Sequence, residues 1–305
     1  PPNFSFEHVS VDERIEKWVV KSDTEALLIF KEGRVLYETY SPESDKGRSI
    51  NGMSMVKNII AILIGIAIDE GRILSTHDDV RLYLPEVTLE DGETLSIRDL
   101  LNHKSGIKEN PFSIYSTLKG QTLEEGLTAF IFASDREFTY KNTNYHILSL
   151  VLTRIYQKPL SKIIEEKLWQ PLRLSEGRII DSAGYCCLFA TARSWLALGQ
   201  LYLDEGRYKG TQIVSNEWID NFVSSFLRSL LYYHEYRIPN PIPRPLLLLR
   251  LLLLLHRLED LLRSSSFYSF LLLLKETPRP NNTPPRPLRT PPSNLWSVAR
   301  RSTHR

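Results

Sequence analysis

Ser54-Met55-Val56-Lys57 sets a hydroxyl and an amine three residues apart. On a helix that separation puts both side chains on one face. A serine hydroxyl is a poor nucleophile and needs a base within hydrogen-bond reach. Behind the tetrapeptide, Ile59 to Ile68 is apolar on every side, which demands a helix buried in the centre of a domain. A lysine at the mouth of such a helix is partly desolvated, which favours its neutral amine. The helix N-terminus also offers backbone N–H groups to a developing oxyanion. Taken alone, the tetrapeptide reads first as a surface N-cap serine beside a solvated lysine; the apolar helix that follows brings the nucleophile reading level with it. Tyr140-Lys141-Asn142 is the second group. A phenol near an ammonium releases its proton more readily and can relay it. An amide can hold a lysine and a substrate carbonyl together. On its own this tripeptide reads first as a buried tyrosine followed by an N-cap asparagine.

Several elements must position these groups. The stretch from Val11 to Val20 is amphipathic. Glu25 to Phe30 and Val35 to Tyr40 are β-like runs joined by Lys31-Glu32-Gly33-Arg34, a hairpin signal. Ser54 to Glu70 reads as a helix with Gly71 as its C-cap. Its ten-residue apolar stretch is too short to span a membrane. Ser96 is a candidate N-cap for a short helix to Asn102, closed by the turn His103-Lys104-Ser105-Gly106. Further helices are expected over Leu123 to Phe132, Asn142 to Tyr156, Leu160 to Leu168, Thr191 to Leu203, and Ser215 to Val223. A lone hairpin is not a stable sheet, so more strands are expected downstream.

The composition changes before those strands can be found. All 14 glycines of the 305 residues lie at or before Gly210. From Leu227 to Arg305, Leu, Arg, Pro and Ser make 52 of 79 residues. From Arg228 on, 13 basic and 4 acidic residues give +9, which leaves −7 for the preceding body out of a total of +2. The leucine runs at 246–255 and 271–274 neither alternate nor reach membrane-spanning length. The expected organisation is therefore one incomplete domain over 1–225 and an aberrant Leu/Pro/Arg/Ser-rich tail over 226–305.

The residues together resemble the serine β-lactamase-like hydrolases: class C β-lactamases, D,D-peptidases, related esterases and 6-aminohexanoate-dimer hydrolases. The resemblance rests on Ser54-Met55-Val56-Lys57 with Ile66-Ala67-Ile68-Asp69-Glu70-Gly71, on Ile97 to Ile107, on Phe138 to Tyr145, on Leu168-Trp169-Gln170-Pro171-Leu172, and on Cys186 to Arg193. Order and spacing agree over roughly residues 10–225. The pattern is most similar to the 6-aminohexanoate-dimer-hydrolase branch, which carries a similar segment around the cysteine pair. The resemblance implies an α+β fold, an antiparallel sheet flanked by a helical subdomain, with the C-terminal part of the sheet missing here. It implies a serine hydrolase that cleaves a small-molecule amide, ester or β-lactam bond through an acyl-enzyme, without metal or cofactor. Ser54 would be the nucleophile and Lys57 its base or proton shuttle. Tyr140 would assist as base and later activate the deacylating water or alcohol. Asn142 would bind Lys57 and the substrate carbonyl. The family also favours a bacterial envelope or periplasmic setting; the chain opens at Pro1 with no signal-like stretch ahead of the fold, which leaves an upstream segment open.

The family's third element, Lys-Thr/Ser-Gly or His-x-Gly on a sheet strand, does not occur after Asn142. Lys104-Ser105-Gly106 has the letters but precedes Tyr140, and Lys209-Gly210-Thr211 has the wrong order. The simultaneous loss of glycine, periodicity and this motif suggests a frame or gene-model departure near residues 224–230. The competing reading is a catalytically inactive or truncated relative. Cys186 and Cys187 cannot make a disulfide framework and read as small apolar packing near the site. His103 and His146 read as structural histidines. The near-neutral total gives no support for nucleic-acid binding, and no segment reads as an integral membrane span.

Overall fold

The computed structural model describes residues 4–7, 13–22, 24–31, 33–89, 92–108, 136–181, 184–222, 270–274 and 295–298. The hairpin expected from the sequence is present as β2 (Ala26–Lys31) and β3 (Arg34–Tyr40), antiparallel, turning at Gly33 with φ +80°. That left-handed backbone is open to glycine at no steric cost. β2 reads Ala-Leu-Leu-Ile-Phe without alternation because both of its faces are buried. β1 (Ser5–Phe6) lies parallel to β3, and α1 (Glu13–Lys21) follows it in the chain.

A second sheet contains strands the sequence did not announce. β4 (Ser49–Asn51), β5 (Gly177–Ile180) and β6 (Leu188–Thr191) are three or four residues each, too short to display a period of two. Two more strands come from beyond residue 226, where composition gave no strand pattern. β9 (Phe270–Leu274) pairs antiparallel with β2, and β10 (Leu295–Val298) pairs antiparallel with β5. The sheet orders are β1-β3-β2-β9 and β10-β5-β6-β4.

The helical part is built round α2 (Val56–Asp69), entered through a 3₁₀ turn at Met53–Met55. Eleven of its fourteen residues are buried, as an all-round apolar helix requires. Gly65 lets the Trp218 ring lie on this helix: a Cβ there would fall 2.4 Å from the indole. Gly71, at φ +69°, ends it as expected. α3 (Ile97–Leu101) starts with the capping box Ser96/Asp99. α4 (Asn142–Tyr156) packs against both α2 and α3. α5 (Leu160–Ile164) continues as a π-helical turn over Glu165–Trp169. α6 (Ala192–Leu203), N-capped by Thr191, packs on β2. The β7–β8 hairpin (Arg207–Tyr208, Thr211–Gln212) and α7 (216–222) close the body. The helix expected over Leu123 to Phe132 lies outside the described residues.

An ionic staple joins the sheet to α6. Arg193 donates from Nε and Nη2 to the two Glu38 carboxylate oxygens at 2.8 and 2.6 Å. Burial pushes the Glu38 carboxyl up, but the hydrogen bonds from Arg193 and Tyr40 outweigh it and hold the group below its usual range. Among the described residues no helix is long and apolar enough to cross a membrane.

Candidate active site

The chain reaches α2 through a constrained turn. Gly52 lies flat against Trp195, where a Cβ would fall 2.0 Å from Cζ2, and its N–H donates to Leu188 O at 2.9 Å. Met53 follows at φ +46°, a left-handed conformation that costs a non-glycine residue about 1–3 kcal/mol. Its N–H is taken by Asn51 Oδ1 at 2.9 Å. The outcome is a sharp strand-to-helix turn that presents Ser54 to solvent at the head of a buried helix.

One turn on, Lys57 is only 6% exposed. Its Nζ donates to Ser54 Oγ at 3.2 Å, to Asn142 Oδ1 at 2.8 Å and to Tyr185 O at 2.9 Å. The three-residue spacing thus does what helical geometry predicts. The rings of Tyr140, Tyr145 and Tyr185 surround the nitrogen, with centroids at 4.8, 5.9 and 6.0 Å. An amide Oδ1 and a peptide oxygen only accept, so each claims an N–H. A neutral amine has two N–H groups, and these partners leave its lone pair for the Ser54 hydroxyl. An ammonium has a third proton to return to Ser54 Oγ. The same geometry can therefore take a proton and give it back.

Tyr140 is held differently. It is half exposed, and its ring stacks on His103 at 4.7 Å between centroids and 30° between planes. His103 Nδ1 accepts from Lys141 N at 3.1 Å, and its carbonyl accepts from Thr139 N at 2.9 Å. Asn144 Nδ2 lies 3.4 Å from the same Nδ1, while Asn144 Oδ1 accepts from Ser105 Oγ at 2.7 Å. Burial first, and the Lys57 charge second, push the His103 imidazole down to about 4. His146, on α4, is pushed down to about 4 by burial, and neither of its ring nitrogens has a hydrogen-bond partner. Tyr145 donates its hydroxyl to Leu101 O at 3.2 Å, and burial holds its phenol well above the usual range.

Ser54, Lys57, Tyr140 and Asn142, singled out from the sequence, all meet at the head of α2. The sequence missed Tyr185, because a backbone carbonyl leaves no side-chain signature. It also misread the cysteine pair. Cys186 and Cys187 form a disulfide between neighbouring residues, with Cys187 at φ +70°. The reading as plain apolar packing is corrected by that bond. It lies between two carbonyls that serve the site: Tyr185 O takes Lys57, and Leu188 O takes Gly52 N. Ser105 is buried and bonded to Asn144, and Lys209-Gly210 turns the β7–β8 hairpin, so neither triplet stands in for the third element. Among the described residues no three His, Cys, Asp or Glu side chains gather as a metal site.

One mixed and one antiparallel sheet, with a buried helix that carries a serine and a lysine at its head, make an α+β fold of the β-lactamase-like class. The Beta-lactamase family model matches residues 17–183, more than half of the chain, and the chain belongs to that family. The 6-aminohexanoate-dimer hydrolase of Paenarthrobacter ureafaciens is 22% identical over 241 residues, covering 71% of this chain and 61% of that protein. Protein flp of Staphylococcus aureus (strain MRSA252) is 26% identical over 167 residues, 49% of this chain and 33% of its own length. Among solved structures, a candidate 6-aminohexanoate-dimer hydrolase from Bacillus anthracis superposes with a TM-score of 0.63 at 17% identity, over 72% of this chain and 67% of that one. These two curated relatives are thus spanned over 61% and 33% of their lengths.

Proposed function

We propose that the chain is a serine hydrolase that opens an amide, ester or β-lactam bond of a small molecule through an acyl-enzyme on Ser54. The observation that carries this reading is the placement of Lys57 Nζ, 3.2 Å from Ser54 Oγ with Asn142 Oδ1 and Tyr185 O holding it from other sides. Ser54 Oγ attacks the carbonyl carbon as its proton passes to Lys57 or Tyr140. The tetrahedral oxyanion is met by backbone N–H groups at the head of α2. It collapses with loss of the amine or alkoxide, which leaves with the proton. Tyr140 then activates the water or alcohol that releases Ser54, while Asn142 holds both Lys57 and the substrate carbonyl. A fluorophosphonate or labelled penicillin tests this on the purified chain. Covalent labelling that disappears in Ser54→Ala supports it, and failure of every such probe on the wild type overturns it.

A second reading, a relative that binds ligand without turnover, is favoured by one specific observation. β9, which pairs with β2, reads Phe-Leu-Leu-Leu-Leu and carries neither Lys-Thr/Ser-Gly nor His-x-Gly. Labelling of Ser54 without subsequent turnover is the outcome that would select it.

A further inference from the structure

We propose that His103 is a positioning residue for Tyr140, a clamp that sets the phenol against Lys57. This rests on the reading of Tyr140 as a proton-handling group. Residues 139–141 run without helical hydrogen bonds, and Lys141 is extended at φ −139° and ψ 133°. In an extended segment, groups two residues apart point to the same side. Thr139 N–H and Lys141 N–H are such a pair, and one residue takes both: the His103 carbonyl at 2.9 Å and its Nδ1 at 3.1 Å. The imidazole plane then lies against Tyr140, the residue between them, at 4.7 Å.

His103 can reach both ends because its own backbone is left-handed, at φ +55°, just past α3. The ring is gripped in turn. Phe138 meets it edge-on at 5.9 Å, Tyr145 lies 5.2 Å away, and Asn144 approaches Nδ1 at 3.4 Å while bonded to Ser105. Two donors converge on Nδ1, so the clamp works only with that nitrogen unprotonated and the proton on Nε2. Among ordinary side chains only a neutral imidazole offers both a ring nitrogen acceptor and a flat aromatic face to stack. The half-exposed Tyr140 would otherwise lack that support, and a displacement of about 1 Å at a reacting group can cost about 10²-fold in rate.

The test is ester turnover by the full chain, with kcat expressed per fluorophosphonate-titrated Ser54. His103→Ala should lower kcat by about 10²-fold with KM changed less than about threefold. His103→Asn, whose Oδ1 lies near the place of Nδ1, should recover to within about tenfold of wild type, ahead of His103→Phe, which keeps a ring without the acceptor. In a Tyr140→Phe background His103→Ala should change kcat by less than about threefold, because the residue it positions is already disabled. Losses that multiply in the double variant, or that follow the fall in Tm equally for Asn and Phe, would overturn the clamp. A wild type that no probe labels sinks the proposed function instead. The clamp is then read from the ¹³Cζ resonance of Tyr140, assigned with Tyr140→Phe: a shift on His103→Ala supports it and no shift overturns it.

Discussion

The two halves of the site are held by different physics. Ser54 and Lys57 stand on a helix that is apolar all round, with Lys57 sealed at 6% exposure. Tyr140 is 50% exposed; its ring stacks on His103 and lies under Lys57 Nζ, and the residues on either side of it bond to the His103 turn, far away in sequence. The first half is fixed by dense packing, where Gly52 and Gly65 admit the Trp195 and Trp218 rings with no room for a Cβ. The second is fixed by a few polar contacts of about 0.5–1.5 kcal/mol net each. One half is therefore hard to perturb without losing the fold, and the other can be detuned while the fold stays.

The largest effect should come from Lys57→Ala. Removing the amine next to Ser54 is expected to slow covalent labelling by about 10³-fold, read as a rate of adduct formation by mass spectrometry. A loss under tenfold would move the base role to Tyr140. The next is a pH effect on stability. His103 and His146 lie at about 4 in the folded chain, below the value of 6.5 for a free imidazole. The unfolded chain therefore binds more protons between these values. Their contribution should level off above pH 6.5, and stability should fall as pH drops toward 4, by up to about 3 kcal/mol per histidine. Glu38, Glu70 and Asp79, held below their usual range, add further loss at lower pH as each protonates. Urea midpoints across this range check the slope. His146→Phe should flatten it by removing one titrating ring, and neither nitrogen of that ring has a hydrogen bond to lose.

Tyr140→Phe should cost about 10²-fold in turnover with little change in Tm, since the lost hydroxyl belongs to a half-exposed ring. Gly52→Ala should do the reverse. A Cβ 2.0 Å from Trp195 must displace the indole, for about 1–3 kcal/mol of stability measured by denaturant unfolding. The smallest effect is expected from dithiothreitol, which opens the Cys186–Cys187 bond to two thiols and is itself oxidised to a cyclic disulfide. Loosening the Tyr185 carbonyl from Lys57 should slow labelling by a few-fold, the equivalent of about one hydrogen bond. An unchanged rate would mean that the turn keeps its shape without the bond.

The same contrast explains what could be read from the sequence. α2 was legible because ten apolar residues in a row after Ser-x-x-Lys admit one placement, and the β2–β3 hairpin because Gly33 separates two apolar runs. β4, β5 and β6 were not, being too short for periodicity, and β4 pairs only with the distant β6. Asn142 was found as a letter in a motif, and its bond to Lys57 spans 85 residues that no local pattern encodes. His103 was read as structural because its partners, Thr139 and Lys141, lie beyond a long intervening segment. Its turn, His103-Lys104-Ser105-Gly106, was the available signal: a polar residue at a tight turn, beside a serine that bonds Asn144. β9 and β10 arise where composition offered only leucine runs and prolines, so their pairing comes from the free edges of β2 and β5 rather than from any alternation.

The central claim is that Ser54 takes the substrate acyl group as its proton passes to Lys57 or Tyr140, and is released with help from Tyr140. Peptide mass mapping over time, with a slowly hydrolysed penicillin or ester, tests it most directly. The account predicts an adduct on the peptide holding Ser54 in the wild type, none in Ser54→Ala, and an adduct that persists longer in Tyr140→Phe. Ester turnover with the adduct elsewhere, or an adduct that survives Ser54→Ala, would contradict it.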